Sequence, residues 1–366
     1  MQRLDTQHLW ISGEDGYFRY RIPALTVTAA GTVLAFCEAR KYTGGDSDQI
    51  DLLVRRSSDH GRTFAPPQLV ATEPDWVCGN PAPVVDRDTG SIWLPFCKNR
   101  RDGDERMICH GQAPRTVWVT ASHDDGVTWE EPVEITAQVK QPDWTWYATG
   151  PGHGIQLASG RLLIPCDHIV ARHYEARDPY HSHVIYSDDH GATWTIGGSA
   201  DEGTNESIAV QTEDGWLCLN CRNKSILRHP EGGQHRAVTW SNDGGETFSP
   251  IVRDVALPEP ICQASMCRYP GADGRQRILF SNPAATTRRR MTVRLSYDGC
   301  RSWPLARVLH DGAAAYSDLS VTDDGMVCCL YENGAGNDPC ARLTLSRFNL
   351  EWLTHGADVA GSSSDS

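Results

Sequence analysis

The chain has 366 residues, 39% hydrophobic and 22% charged, a globular composition with room for one large domain or two ordinary ones. With 34 basic and 47 acidic residues the net charge is −13, which excludes general nucleic-acid binding. No apolar run approaches the ~18 residues of a membrane span, and the opening MQRLDTQHLW lacks the apolar core of a secretion signal, so a cytoplasmic protein without a membrane span is expected. In chain order, a turn glycine precedes an apolar strand six times: GTVLAFCE from Gly31, GSIWLPFC from Gly90, GRLLIPCD from Gly160, GWLCLNCR from Gly215, GRQRILFS from Gly274 and GMVCCLYE from Gly325. Interleaved with these, S-x-D-x-G-x-T-[W/F] occurs at Ser57–Phe64, Ser122–Trp129, Ser187–Trp194 and Ser241–Phe248. A fifth copy, Ser296–Trp303, has Cys300 for the Gly and Ser302 for the Thr. Each copy follows a strand-like run (DLLVRR, TVWVTA, SHVIYS, RAVTWS, TVRLSY). Asp and Gly there make a tight turn, with the Asp side chain bonding nearby amides.

The two repeats divide the chain into six strand-and-turn units of about sixty residues, and no capped helical pattern stands out. Units of this size are the signature of propeller blades. The expected fold is all-β, a six-bladed propeller of four-stranded antiparallel blades forming one domain over 1–358. The segment before Arg21 is expected to join the last blade and close the ring, leaving 359–366 as a disordered tail. Thirteen Cys, an odd number in apolar strands, read as buried free thiols of a reducing compartment. Cys218 and Cys221 form a CxxC, but in a strand they face opposite ways and no second CxxC follows. His168, His173, His181 and His183 cluster without a ligand spacing and read as a surface loop.

The register of the six strands marks one place. Seven residues beyond each turn glycine stand Glu38, Cys97, Asp167, Arg222, Ser281 and Glu332. These are equivalent strand ends, expected to ring one face of a central channel. Four of the six are charged, and such groups at the ends of apolar strands need partners or a ligand. Arg222 among carboxylates suggests a pocket of ion pairs.

These residues resemble the exo-α-sialidase (neuraminidase) family, cellular and bacterial type. YRIPAL (Tyr20–Leu25) is similar to its Arg-Ile-Pro motif, the S-x-D-x-G-x-T-W repeats to its Asp boxes, and GPGHGIQL (Gly150–Leu157) and Ser281–Gly299 to further family segments. The resemblance covers nearly the whole chain and implies a six-bladed propeller that releases terminal sialic acid through a covalent Tyr intermediate. It implies three arginines on the substrate carboxylate: Arg21, Arg222 and one of Arg288, Arg289 and Arg290, with Arg288 favoured; Arg236 is a structural rival of Arg222. It implies Tyr316 as nucleophile, Glu206 as its general base and Asp46 as acid/base, with Asp48 and Asp51 as nearby rivals. A neutral phenol suits this sugar, because a carboxylate nucleophile would be repelled by the carboxylate on the anomeric carbon. Glu332 would orient the first arginine, and Glu38 and Arg40 would line the pocket. Trp76, Trp144, Trp146 and Tyr147 are candidates for the acetamido and glycerol pockets or the outer rim.

No metal or cofactor is expected. The partners implied are sialylated oligosaccharides, glycoproteins or glycolipids. Three alternatives stay open: a hydrolase for deaminated sialic acid or another ulosonic acid, a transferase using the same residues, and a non-catalytic sialic-acid-binding propeller. Linkage preference and oligomeric state are not legible.

Overall fold

Short apolar runs between Asp–Gly turns fold as antiparallel strands throughout. The computed structural model describes residues 1–171, 179–227, 229–271 and 273–358; the expected tail 359–366 and His173 lie outside them. The strands Val33–Arg40, Leu162–Val170 and Val327–Asn333 are buried along their whole length. They are apolar on both faces rather than alternating, as required when sheets are packed on each side. The longest helix described has five residues, Glu105–Cys109, and no described helix is long and apolar enough to cross a membrane.

The strands form four sheets of seven, nine, five and four strands, where the repeats suggested separate four-stranded ones. Two joins cause the difference. The 17-residue strand Leu305–Val321 pairs with Arg289–Ser296 through its first half and with Val327–Asn333 through its second. A single parallel pairing of Ile50 with Val77 links Ile50–Ser57 to Trp76–Gly79. The strand Leu4–Ile11 pairs with Arg342–Phe348, so the segment before Arg21 does join the end of the chain.

The repeated turns form by one hydrogen-bond pattern. In the second copy, Ser122 Oγ donates to Asp124 Oδ1 at 2.9 Å and accepts from Gly126 N at 2.8 Å. Asp124 accepts from Thr128 N at 2.8 Å and Thr128 Oγ1 at 2.6 Å. The degenerate fifth copy keeps the pattern, Ser302 Oγ standing in for the threonine and Cys300 taking the left-handed φ of 67° that glycine takes in the others. The aromatic that ends the second copy, Trp129, meets Phe36 edge-on at 5.7 Å, and that of the third, Trp194, is buried in an apolar cluster with Cys97 and Val117. Burial opposes ionisation at Asp59 and Asp243, yet the turn's amide and hydroxyl donors hold their carboxyls at about 2. Donation from Thr128 does the same for Asp124, also about 2. A carboxyl depressed on folding stabilises the protein above its unfolded value, 3.8 here, and that stability is lost as pH falls through about 2. Calorimetry should therefore show Tm dropping steeply between about pH 4 and 2, since several boxes titrate together.

At the centre of the molecule, Asp318 is fully buried. Its Oδ2 accepts from Leu25 N at 2.7 Å, and its Oδ1 from Ser265 Oγ at 2.6 Å and from the His153 ring at 2.8 Å. One carboxylate thus fastens the strands Arg19–Val27, Ser265–Arg268 and Leu305–Val321 and the His153 loop to one another.

The thirteen cysteines are all free thiols, and Cys218 and Cys221 sit in different apolar clusters on opposite faces of their strand. The histidine reading is corrected. His168 and His183 are buried on the paired strands Leu162–Val170 and Tyr180–Ser187, their Nδ1 atoms 3.0 Å apart, with His181 stacked on His168. Burial, then its histidine neighbour, lowers the pKa of His183 to about 3, so it is neutral. Consecutive strands brought these rings together, which loop-like sequence spacing concealed.

Candidate active site

The site begins with a backbone irregularity. Ile22 has a left-handed φ of 56°, rare for a β-branched residue, and the pairing of Arg19–Val27 with Val33–Arg40 slips between Arg21 and Ala24. Glu332, fully buried, holds this kink. Its Oε1 accepts from Ile22 N and from Arg21 Nε, both at 3.0 Å, and its Oε2 from Arg21 Nη2 at 3.3 Å and from Tyr316 N at 3.2 Å. A two-point carboxylate grip fixes the guanidinium plane. One side chain therefore orients Arg21 and anchors Tyr316.

Tyr316 lies on Leu305–Val321 and is 5% exposed. Its hydroxyl donates to Glu206 Oε1 and accepts from Arg222 Nη1 at 3.1 Å. The same Nη1 donates to Glu206 Oε2 at 2.7 Å. The guanidinium carbons of Arg21 and Arg288 stand 5.2 and 5.5 Å from the centre of the Tyr316 ring. Three arginines thus converge on one phenol. Burial raises the carboxyl of Glu206, but Arg222 and the Tyr316 hydroxyl outweigh it and hold Glu206 below its usual range. Burial, then Glu206, holds the Tyr316 phenol well above its usual value. The pair is an ionised carboxylate receiving a hydrogen bond from a neutral phenol.

The rivals separate by position. Arg288 turns into the cavity, whereas Arg289 and Arg290 are exposed, Arg289 reaching the Asp311 carbonyl and Arg290 its carboxylate. Arg236 is fully buried on Glu259, Asn220 and the Cys262 carbonyl, a structural knot away from the cavity.

Asp46 stands on the loop after Val33–Arg40, its side chain 68% exposed. Its Oδ1 is 2.6 Å from Arg40 Nη1 and 3.8 Å from Arg21 Nη1. The surrounding walls oppose its ionisation, but Arg40 and then Arg21 hold the carboxyl below its usual range. Arg40 is itself buried on Glu38 Oε2, at 3.0 and 2.7 Å. Asp48 gathers the backbone amides of Tyr42, Thr43 and Gly44 at 2.6–2.9 Å and so shapes the loop that presents Asp46. Asp51 is bound by Tyr17 and Thr72 hydroxyls outside the cavity.

The cavity, about 230 Å³, is lined by Arg21, Glu38, Arg40, Asp46, Glu206, Arg222, Arg288 and Tyr316, with Glu332 just behind it. Glu38, Asp167 and Arg222 of the strand register line it, while Cys97 and Ser281 do not. These register positions stand one strand out from the residues they support: Glu38 pairs with Arg21 and Asp167 with Ala148. Of the candidate aromatics, Trp146 lines the cavity beneath the Arg115 guanidinium, 4.5 Å from its ring. Tyr147 is fully buried in the core, Trp144 stacks on His168, and Trp76 lies outside the lining. Sequence reasoning missed Arg115 and Glu105. Arg115 is fixed by the Tyr147 carbonyl and by Asn80 and Asn99, and Glu105 accepts from the Tyr180 hydroxyl at 2.6 Å. Neither belongs to a repeated motif, and Glu105 rides on a short helix outside the strand register.

The fold thus presents a charged pocket in which three arginines surround a phenol–carboxylate pair. Residues 22–329 match the model of the BNR repeat-like domain family. The chain is 35% identical over 367 residues to a sialidase of Micromonospora viridifaciens, covering 95% of this chain but only 54% of that protein, about half its length. It is 30% identical over 380 residues to an exo-alpha-sialidase of Aspergillus fumigatus, covering 93% and 86%. A solved Hadza microbial sialidase superposes with a TM-score of 0.84 at 31% identity, covering 95% of this chain and 69% of that one. The chain belongs to the sialidase family.

Proposed function

We propose that the protein is a retaining exo-α-sialidase that hydrolyses terminal α-linked sialic acid from oligosaccharides, glycoproteins or glycolipids through a covalent Tyr316 intermediate. One observation carries the reading: Arg21, Arg222 and Arg288 converge on Tyr316, whose hydroxyl donates to Glu206. Three guanidiniums would bind the sugar carboxylate, each charge-assisted bond contributing about 1.5–3 kcal/mol. That focused charge answers the repulsion of an anion by a chain of net charge −13. Tyr316 Oη would attack the anomeric carbon while its proton passes to Glu206. Asp46 would protonate the departing glycosidic oxygen, then take a proton from water as that water attacks the same carbon. The Tyr–carbon bond breaks in this second step, and Glu206 returns the proton to the phenol. Ligand-free, Arg40 and Arg21 keep Asp46 ionised. A substrate carboxylate on Arg21 would offset part of that charge and favour the protonated acid.

The strand pairing supports six blades in one domain over 1–358. Each of the merged seven- and nine-stranded sheets divides into two blades at the joins described, and Leu4–Ile11 completes the last. Thirteen free thiols support a reducing, cytoplasmic setting.

The test is release of an aryl alcohol from α-glycosides of N-acetylneuraminic acid and of its deaminated counterpart, with Asp46→Asn beside the parent. Turnover of the first is expected. Turnover of only the second would move the function to another ulosonic acid, and binding without turnover of either would leave a lectin. For Asp46→Asn, kcat/KM, which reports only the first step, should fall about 10²–10⁴-fold on sialyllactose and about tenfold or less on the aryl glycoside, whose leaving group departs without a proton. Equal losses on both would remove Asp46 from the acid role.

A further inference from the structure

Asp167 is a carboxyl the mechanism above does not use. It lies on Leu162–Val170, is 1% exposed, and lines the cavity on the side of Trp146. Its Oδ1 accepts from Trp146 Nε1 and from Asn205 Nδ2, both at 3.0 Å. Its Oδ2 is buried with no hydrogen-bond partner, and neither oxygen has a salt-bridge partner among the described residues. Asn205 immediately precedes Glu206 on Thr204–Gln211, a strand of another sheet, so this carboxyl ties the Trp146 wall to the strand bearing the base.

We propose that Asp167 is a positioning residue of this site: it ties the Trp146 wall to the strand of Glu206, and only while neutral does it leave Arg222 to Glu206 and Tyr316, so that loss of its proton disturbs that trio. The inference rests on the sialidase reading of the pocket. An ionised carboxylate with one oxygen buried and unpartnered is costly, whereas a neutral carboxyl is far less so. Among the described residues, the charged and titratable groups facing it are Glu206 on the strand Thr204–Gln211, Arg222 and Lys224 beyond that strand, Glu105 and Cys109 on the short helix, Tyr180, and its neighbours Tyr147 and Cys166. Burial, and then the charge of Glu206, pushes its pKa up to about 8, against the opposing pull of Trp146, Lys224 and Arg222. Two neighbouring carboxyls driven apart in this way give one acid and one base at neutral pH, with Glu206 as the base. Once ionised, Asp167 would repel Glu206 and compete for Arg222, which holds both Glu206 and the Tyr316 hydroxyl.

Asp167→Asn tests this with two readouts. Asn keeps an oxygen for Trp146 and Asn205 and never ionises. The first readout is Tm against pH without substrate. A carboxyl raised from an unfolded 3.8 to a folded value of about 8 gives stability that is complete below the lower value and lost as pH rises through the higher. Wild type should therefore lose Tm relative to Asp167→Asn between about pH 4 and 8, and the difference should level off above that. The second is kcat/KM on the aryl sialoside, whose leaving group needs no acid. Wild type should fall about tenfold per pH unit above its midpoint, and Asp167→Asn should lack that limb. Trp146→Phe removes the donor that favours the ionised form, so its alkaline limb should move to higher pH. A Tm difference that does not change with pH overturns the proposal whatever the activity. Superimposed alkaline limbs overturn the positioning role even where the Tm difference appears. Failure of the parent to turn over any sialoside would strike the functional reading alone, since the Tm difference would still report the proton on Asp167.

Discussion

Replacing Tyr316 by Phe is expected to lower kcat/KM on sialyllactose by about 10³–10⁴-fold, equivalent to about 4–5 kcal/mol of transition-state stabilisation. The aromatic ring would remain packed between Arg21 and Arg288, 5.2 and 5.5 Å from their guanidinium carbons. Only the hydroxyl, with its bonds to Glu206 and Arg222, would be lost. Binding of free sialic acid should therefore change little, because the arginine cluster stays intact, and the loss should appear in kcat rather than KM. Glu206, the carboxylate nearest the vacated position, cannot take over attack efficiently, since it would approach a carbon that carries a carboxylate of its own. Proton NMR of the first-formed sugar gives an independent reading. The parent should release the α anomer, and any residual activity of the variant should lose that preference. An unchanged kcat with the α anomer retained would remove Tyr316 from the covalent role.

What could be read from residue order was what is local or repeated. The Asp boxes were legible because their hydrogen bonds span four residues, from Ser57 to Gly61 and from Asp59 to Thr63, so spacing alone encodes the turn. The turn-glycine register reached Glu38, Asp167 and Arg222 because strand geometry carries a fixed count from turn to strand end. What depended on contacts between distant segments was not legible. Asp46 and Asp48 are two residues apart on one loop, and only the folded loop shows Asp48 turned onto backbone amides and Asp46 onto Arg40. Arg288 and Arg289 are adjacent, and the pairing of Arg289 with Ala313 leaves the two side chains on opposite sides. Arg115 has no periodic neighbour, and its place is fixed by Asn80, Asn99 and the Tyr147 carbonyl, from three separate segments. Sheet boundaries were hidden for the same reason, since nothing in the run Leu305–Val321 marks where one partner strand gives way to the next.

Asp318→Ala is expected to destabilise the protein by about 3–5 kcal/mol. Truncation orphans Leu25 N, Ser265 Oγ and the His153 ring nitrogen, all buried and now 2.6–2.8 Å from a carboxylate oxygen. Each orphaned donor costs about 1–3 kcal/mol, offset in part because a carboxylate no longer has to be buried. Asp318→Asn should lose less, since one acceptor oxygen survives while an amide group must face either the Leu25 N–H or the Ser265–His153 pair. Guanidinium unfolding should show the alanine midpoint lowered with an unchanged m-value, and Tm lowered by about 4–7 °C. Because Asp318 follows Tyr316 by two residues on one strand, loosening the hub should also let the phenol drift from Glu206. The fully folded variant, assayed well below its Tm, should keep most of its affinity for sialic acid and lose part of its kcat. An alanine variant as stable as the parent would show that the four segments meeting at Asp318 are held by their apolar packing alone.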